Sequence, residues 1–280
     1  MFTPEYFAWL AICFSFVGIL LFFSLKFKFS LKTATYIVCG ISVASELCKI
    51  FTHMNDASGG GKVLWAGSLP FHLCSILIFL FFYLLISKNE NAKKKVMGFV
   101  VPIAIIGGLL AIFMSTSGSD FKAPYAYQCY FFHSGILWYA IHVLCTKNVD
   151  LGWKTYLRNL ATLGILTVVM LWVNSALQTY HTNFFYLVKP PLENLPLLNL
   201  KNGWYAYFFT LVALGVILIT LAHAPTMICH AVRAKRLRDT TIAPSKTNAG
   251  NLSENDNTIE QKIDTKSKQS QNTTNKKDQI

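Results

Sequence analysis

His72 and Cys74 stand at the entrance of a long apolar stretch, in the run Leu69-Pro70-Phe71-His72-Leu73-Cys74. A thiol attacks an acyl carbonyl once a base removes its proton, and imidazole is the common base. Ionisable groups are costly in hydrocarbon, so such residues at a span entrance imply a water-filled cavity, a packed bundle interior or a reaction site. Positions two apart on a helix are about 200° apart around its axis, so His72 and Cys74 cannot face one another. The base for Cys74 must then come from another segment. His133, at similar depth in a second apolar stretch, is the candidate, with His72 orienting a headgroup or an acyl oxygen.

Further polar side chains fall at helical spacing. Glu46, Lys49 and His53 follow i, i+3, i+7, and Asn174, Gln178 and His181 follow i, i+4, i+7, so each set is expected on one helix face. Gln128 lies one turn and a residue before His133. Glu46 reads either as a structural partner of Lys49 or as part of a site. His142, nine positions beyond His133, reads as a packing or interfacial residue. Convergence of Glu46, His53, His72, His133, His181, Asn174 and Gln178 at one depth fits a polar cavity open toward the outer leaflet. No metal is expected: no span carries an HxxxH pair, and His72 and Cys74 cannot chelate from one helix face. No cofactor is implied.

The elements that must position these groups are membrane helices. Hydrophobic residues make up 53% of the 280-residue chain and charged residues 14%, a balance unlike that of soluble domains. Seven segments approach the roughly 20 apolar residues that span a bilayer, near 5–25, 33–53, 69–87, 96–115, 128–146, 157–178 and 204–229. The expected fold is an all-α, polytopic bundle of about seven transmembrane helices. The first segment lacks a positive leader and a cleavage pattern, so it reads as a retained helix. The bundle is assigned to 1–238, and 239–280 to a polar, disordered cytoplasmic tail without aromatic residues.

Charge sets the expected orientation. Lys26, Lys28 and Lys32, then Lys88 and Lys93 to Lys95, then Lys147, Lys154 and Arg158, and finally Arg233, Lys235, Arg236 and Arg238 fall on one side. Lys and Arg favour the cytoplasm, which puts the N-terminus outside and the C-terminus inside. The net charge of +12 then fits attraction to anionic headgroups at cytoplasmic basic loops rather than nucleic acid. The seven cysteines form no CxxC pair, and most read as packing residues within spans; a Cys74–Cys129 disulfide is conceivable. The expected location is the plasma membrane, with membrane lipids as partners.

The segment Leu69 to Ser75 resembles the LPLHLC signature of the bacterial YwaF family of integral membrane proteins. Glu46, His133 within Gln128 to Gly135, Asn174, and the loop Thr182 to Leu187 with Lys189-Pro190 also match, over roughly residues 5–230. Phe184 stands where that family more often has tyrosine, and the loop after Met114 is short and lacks the usual Thr-Pro pair. That family is distantly similar to eukaryotic membrane proteins regarded as cysteine-dependent phospholipid acyltransferases. The resemblance implies that Cys74 and a histidine handle an acyl group at the lipid boundary; the enzyme reading is then acyl transfer or ester hydrolysis on a lipid, with Cys74 as nucleophile, His133 as base and Asn183 or Gln128 as oxyanion donor. Two readings stand against it: a structural thiol beside a hydrogen-bonded histidine, and a small-solute transporter or binding protein using the same cavity, with Pro102 and Gly107-Gly108 as breakable points.

Overall fold

A proline in the first turn, or a hydroxyl or amide just before it, marks where several helices begin. In the computed structural model, which describes residues 3–52, 54–56, 61–114, 118–192 and 197–242, Thr3 Oγ1 accepts from the Tyr6 N–H at 3.3 Å and opens α1 (Pro4–Lys26). Ser30 does the same for Thr33 at 3.1 Å and opens α2 (Leu31–Thr52). After a short hairpin, α3 (Leu73–Ile86) starts at His72 with no side-chain cap. Asn89 Oδ1 accepts from Ala92 at 3.0 Å and opens α4 (Glu90–Met114). Pro124 heads α5 (Pro124–Cys145), followed by α6 (Trp153–Ala176) and α7 (Gly203–Ile242).

The hairpin pairs β1 (Met54–Asp56) with β2 (Lys62–Leu64), antiparallel, Met54 opposite Leu64. These are the only strands among the described residues. Hydropathy gives no sign of them, because three-residue strands carry no periodicity.

Short connections make consecutive helices antiparallel, and hydrogen bonds at both ends fix the alternation. Tyr6 Oη donates to the Phe113 carbonyl at 2.8 Å and Trp9 Nε1 to the Ser119 carbonyl at 3.1 Å, joining the start of α1 to the end of α4 and the loop beyond it. At the opposite end, Thr35 and Tyr139 hydroxyls meet at 3.0 Å, joining the start of α2 to the end of α5.

The axis of the core is α5. It packs against α1, α2 and α4, and every residue from 134 to 140 is buried. Trp9 stacks between Tyr130 and Phe121, with ring centroids 4.6 and 5.1 Å away. On α6 and α7 the large apolar side chains instead point outward, Trp172 at 72% exposure and Phe209 at 66%. Outward apolar surface on long helices is what a bilayer solvates.

Five helices, α1, α2, α4, α6 and α7, are long and apolar enough to cross a membrane. The other two depart from the hydropathy reading for separate reasons. With 14 residues, α3 is about 21 Å long at 1.5 Å per residue, short of a hydrocarbon core of about 30 Å. It begins at Leu73, not near residue 69, and Leu69 to Phe71 form a turn. In contrast, α5 has the length, with 22 residues, but carries Gln128, two histidines and four tyrosines, of which Tyr130, Tyr139 and His142 are buried against protein. The chain divides into two units, Met1–Cys229 and His230–Ile280. Of the second, residues 230–242 are described and helical.

Candidate functional site

Histidine at position 133 lies nine residues inside α5, about two and a half turns from its start. Its Nδ1 sits 2.7 Å from the Cys129 carbonyl oxygen one turn earlier and 3.5 Å from the Cys129 sulfur. A carbonyl only accepts, so Nδ1 carries the proton and Nε2 keeps its lone pair. That tautomer is the one a general base needs. Cys74 lies within charge-interaction and hydrogen-bonding reach of the same ring.

Cys74 is the second residue of α3, and α3 starts deep in the bundle. Its sulfur lies over Gly107, so close that a Cβ built on Gly107 would stand 2.7 Å from it. Gly107 is seven residues, about two turns, from the end of α4. The next residue, Gly108, faces α5, where a Cβ would stand 3.0 Å from the His133 carbonyl oxygen and from Leu137 Cβ. Two adjacent glycines therefore let α3 and α5 approach one side of α4 and bring thiol and imidazole to one depth. The pair serves close packing here, whereas the transporter reading takes it, with Pro102, as breakable points.

His72 precedes α3 with extended backbone, φ −68° and ψ 148°, rather than occupying its first turn. The two residues still diverge. The His72 ring lies against Phe184 and Tyr186, at centroid distances of 5.4 and 5.6 Å, and within electrostatic reach of Lys49 and His133. Lys49 Nζ is 2.7 Å from Glu46 Oε1, with side chains 10% and 19% exposed. The start of α3 has no side-chain cap, so the backbone N–H groups of its first turn lack a partner from the His72 side chain.

The remaining candidates hold structure together. Gln128 Nε2 donates to Ser45 Oγ at 2.5 Å, bridging α5 to α2. Asn174 is buried and double-bonded to one residue: its Nδ2 donates to the Phe184 carbonyl at 3.0 Å and its Oδ1 accepts from the Phe184 N–H at 2.8 Å. Asn183 closes its own loop, accepting from Val188 and Lys189 N–H groups and donating to the Lys189 carbonyl. Gln178 and His181 do not share a face with Asn174. Helix α6 ends at Ala176, the chain turns through a 3-10 segment to His181 at φ 52°, and both side chains are exposed. His53 lies outside the described residues. His142 is fully buried at the far end, its Nδ1 3.1 Å from Ser24 Oγ.

Sequence reasoning missed Cys129, Lys49 as a site neighbour, Ser45, and the glycine pair. The i−4 spacing of Cys129 from His133 was available as a signal; the packing role of the glycines was not, because it depends on which helix face meets which neighbour. None of the seven cysteines is in a disulfide, so Cys74 and Cys129 are not joined.

A search of curated proteins found no match, and neither did a search of solved structures. A polytopic helical bundle with apolar outer faces agrees with the one comparison that did match, a model described as the TMEM164 family, which covers residues 1–222, and the chain belongs to that transmembrane protein family.

Proposed function

We propose that the protein transfers or hydrolyses acyl groups of membrane lipids, with Cys74 as nucleophile and His133 as base. The observation that carries this reading is the committed Nδ1 of His133, 2.7 Å from the Cys129 carbonyl, which leaves Nε2 with its lone pair on a ring that interacts with Cys74. The thiol proton passes to Nε2, and the thiolate adds to the ester carbonyl carbon. The tetrahedral intermediate collapses, the C–O bond breaks, and His133 returns the proton to the leaving alkoxide. Water or a second lipid hydroxyl then releases the thioester by the reverse sequence.

The oxyanion assignment differs from the Asn183 or Gln128 donor expected from the sequence. Asn183 and Gln128 are engaged elsewhere, whereas the uncapped start of α3 supplies backbone N–H groups beside Cys74. Aligned N–H groups at a helix start favour both a thiolate and a developing oxyanion. His72 and the Lys49–Glu46 pair form the polar wall that would meet the ester or headgroup. The basic loops face the cytoplasm, the N-terminus lies outside, and the chain resides in the plasma membrane.

The test uses full-length protein in nanodiscs containing a phospholipid with an alkyne-tagged acyl chain. Hydroxylamine-sensitive tag on the Cys74 peptide is expected, absent in Cys74→Ala and retained in Cys129→Ala. A tag on other cysteines only, or none on the wild type, overturns the acyl-enzyme. Solute uptake that survives Cys74→Ala would favour transport instead.

A further inference from the structure

Two adjacent aromatic residues in the loop after α6 hold backbone conformations that side chains disfavour: Phe185 at φ 58° and Tyr186 at φ 55°. An L-residue there crowds its Cβ against a neighbouring carbonyl oxygen, and an aromatic ring makes no local hydrogen bond in return. Such a shape persists only where its surroundings over-determine it, and three sets of side chains do so. Asn183 ties the loop to itself through the Lys189 carbonyl and the Val188 and Lys189 N–H groups. Asn174 of α6 holds both backbone groups of Phe184. From α7, Tyr207 Oη donates to the Tyr186 carbonyl and Trp204 Nε1 to the Leu187 carbonyl at 2.9 Å.

The strained shape presents its rings to the turn that leads into α3. Phe184, fully buried, packs edge-on against Phe71 at 5.3 Å and against the His72 ring at 5.4 Å, and the Tyr186 ring lies 5.6 Å from His72. A swing of either left-handed φ to its ordinary negative range redirects the chain beyond it and takes Tyr186 away from His72. We infer that loop 183–189 is a strained brace that positions His72, with Tyr207, Trp204 and Asn174 as the positioning residues that hold it in shape. What His72 then meets, an ester or a headgroup, rests on the acyl-transfer reading above. Helices α6 and α7 supply no group to the Cys74–His133 pair, which α3, α4 and α5 bring together. The brace therefore governs how the lipid is held and leaves the thiol and imidazole in place.

The test uses full-length protein in nanodiscs and diethyl pyrocarbonate, which modifies accessible imidazole, with the His72 peptide read by mass spectrometry. Tyr207→Phe removes one clamp and is expected to speed His72 modification about threefold, the size of one interhelical hydrogen bond in a membrane. Tyr205→Phe, on the same helix but 74% exposed, should leave the rate at the wild-type value. Strain is read in the Tyr207→Phe background by comparing Phe185→Gly with Phe185→Ala. Both lose the ring, but only glycine adopts the left-handed backbone freely. The glycine variant is expected to be modified about fivefold more slowly than the alanine variant, the reverse of the order at a loop position with ordinary φ. Tyr207→Phe should also raise the lipid fraction that gives half-maximal Cys74 acylation by about threefold, with the maximal rate unchanged. Wild-type His72 modification in Tyr207→Phe, alanine as slow as glycine at position 185, or a fall in maximal rate with unchanged half-saturation would each overturn the proposal. The two readings fail separately. Strain-dependent His72 modification with no acyl group on Cys74 defeats only the acyl-enzyme, whereas Cys74 acylation whose half-saturation ignores Tyr207→Phe defeats only the brace.

Discussion

At the scale of single residues, the decisive feature is how His133 is held. A histidine with both nitrogens free can adopt either tautomer, but the Cys129 carbonyl removes that choice. His133→Gln keeps polarity and approximate size yet cannot accept the thiol proton. Cys74 acylation in that variant is expected to slow by about 10² to 10⁴, the usual contribution of general-base catalysis, as read from the initial rate of tag incorporation. An unchanged rate would show that His133 is a structural neighbour. Asn174 is a contrasting case, because both ends of its amide are spent on Phe184. Replacing it with Leu strands a buried N–H and a buried carbonyl, at about 1–3 kcal/mol each, and removes the support of the loop against which His72 packs. The expected readout is a lower melting temperature in detergent, with Cys74 acylation falling less than in His133→Gln.

At the scale of elements, α4 sets the site by what it lacks. Gly107 meets α3 and Gly108 meets α5, and a single methyl on either would press on the Cys74 sulfur or the His133 carbonyl. Overpacking of this kind typically costs about 1–3 kcal/mol. Gly108→Ala pushes against backbone and Leu137, so it is expected to lower stability. Gly107→Ala pushes only on a side-chain sulfur, so it is expected to move the thiol away from the imidazole and cut acylation while the fold melts near the wild-type temperature. Gly18→Ala, with nothing within 4 Å of the added methyl, should change neither quantity. Equal behaviour of all three variants in acylation and melting would refute the packing account. The short α3 belongs to the same scale: its start at the level of Gly107 is what takes Cys74 off the membrane surface.

At the scale of the whole molecule, helix burial and lipid exposure divide the chain. The central α5 is too polar to register as a span and is buried by its neighbours, while α6 and α7 expose broad apolar faces. The proposed orientation, with the basic loops on the cytoplasmic side, is tested by a fluorescent protein fused after residue 280. The fusion is expected to fluoresce in intact cells, since folding on the cytoplasmic side permits it, whereas an alkaline phosphatase fusion there should be inactive. The reverse pattern would place the C-terminus outside and invert the site.

The amino-acid sequence by itself determined that this is a multi-pass membrane protein and roughly where its long apolar helices run, because hydropathy is a local property written residue by residue. It also singled out Cys74 and His133, since ionisable groups inside apolar runs stand out without any structure. Which polar groups meet was another matter. Gln178 looked aligned with Asn174 only on the assumption of an unbroken helix, and the chain turns after Ala176. Asn183 and Gln128 looked free until tertiary contacts showed each one engaged. The close approach at Gly107 and Gly108 and the bridge between Ser45 and Gln128 depend on distances between segments far apart in the chain. Only the packed bundle sets those distances.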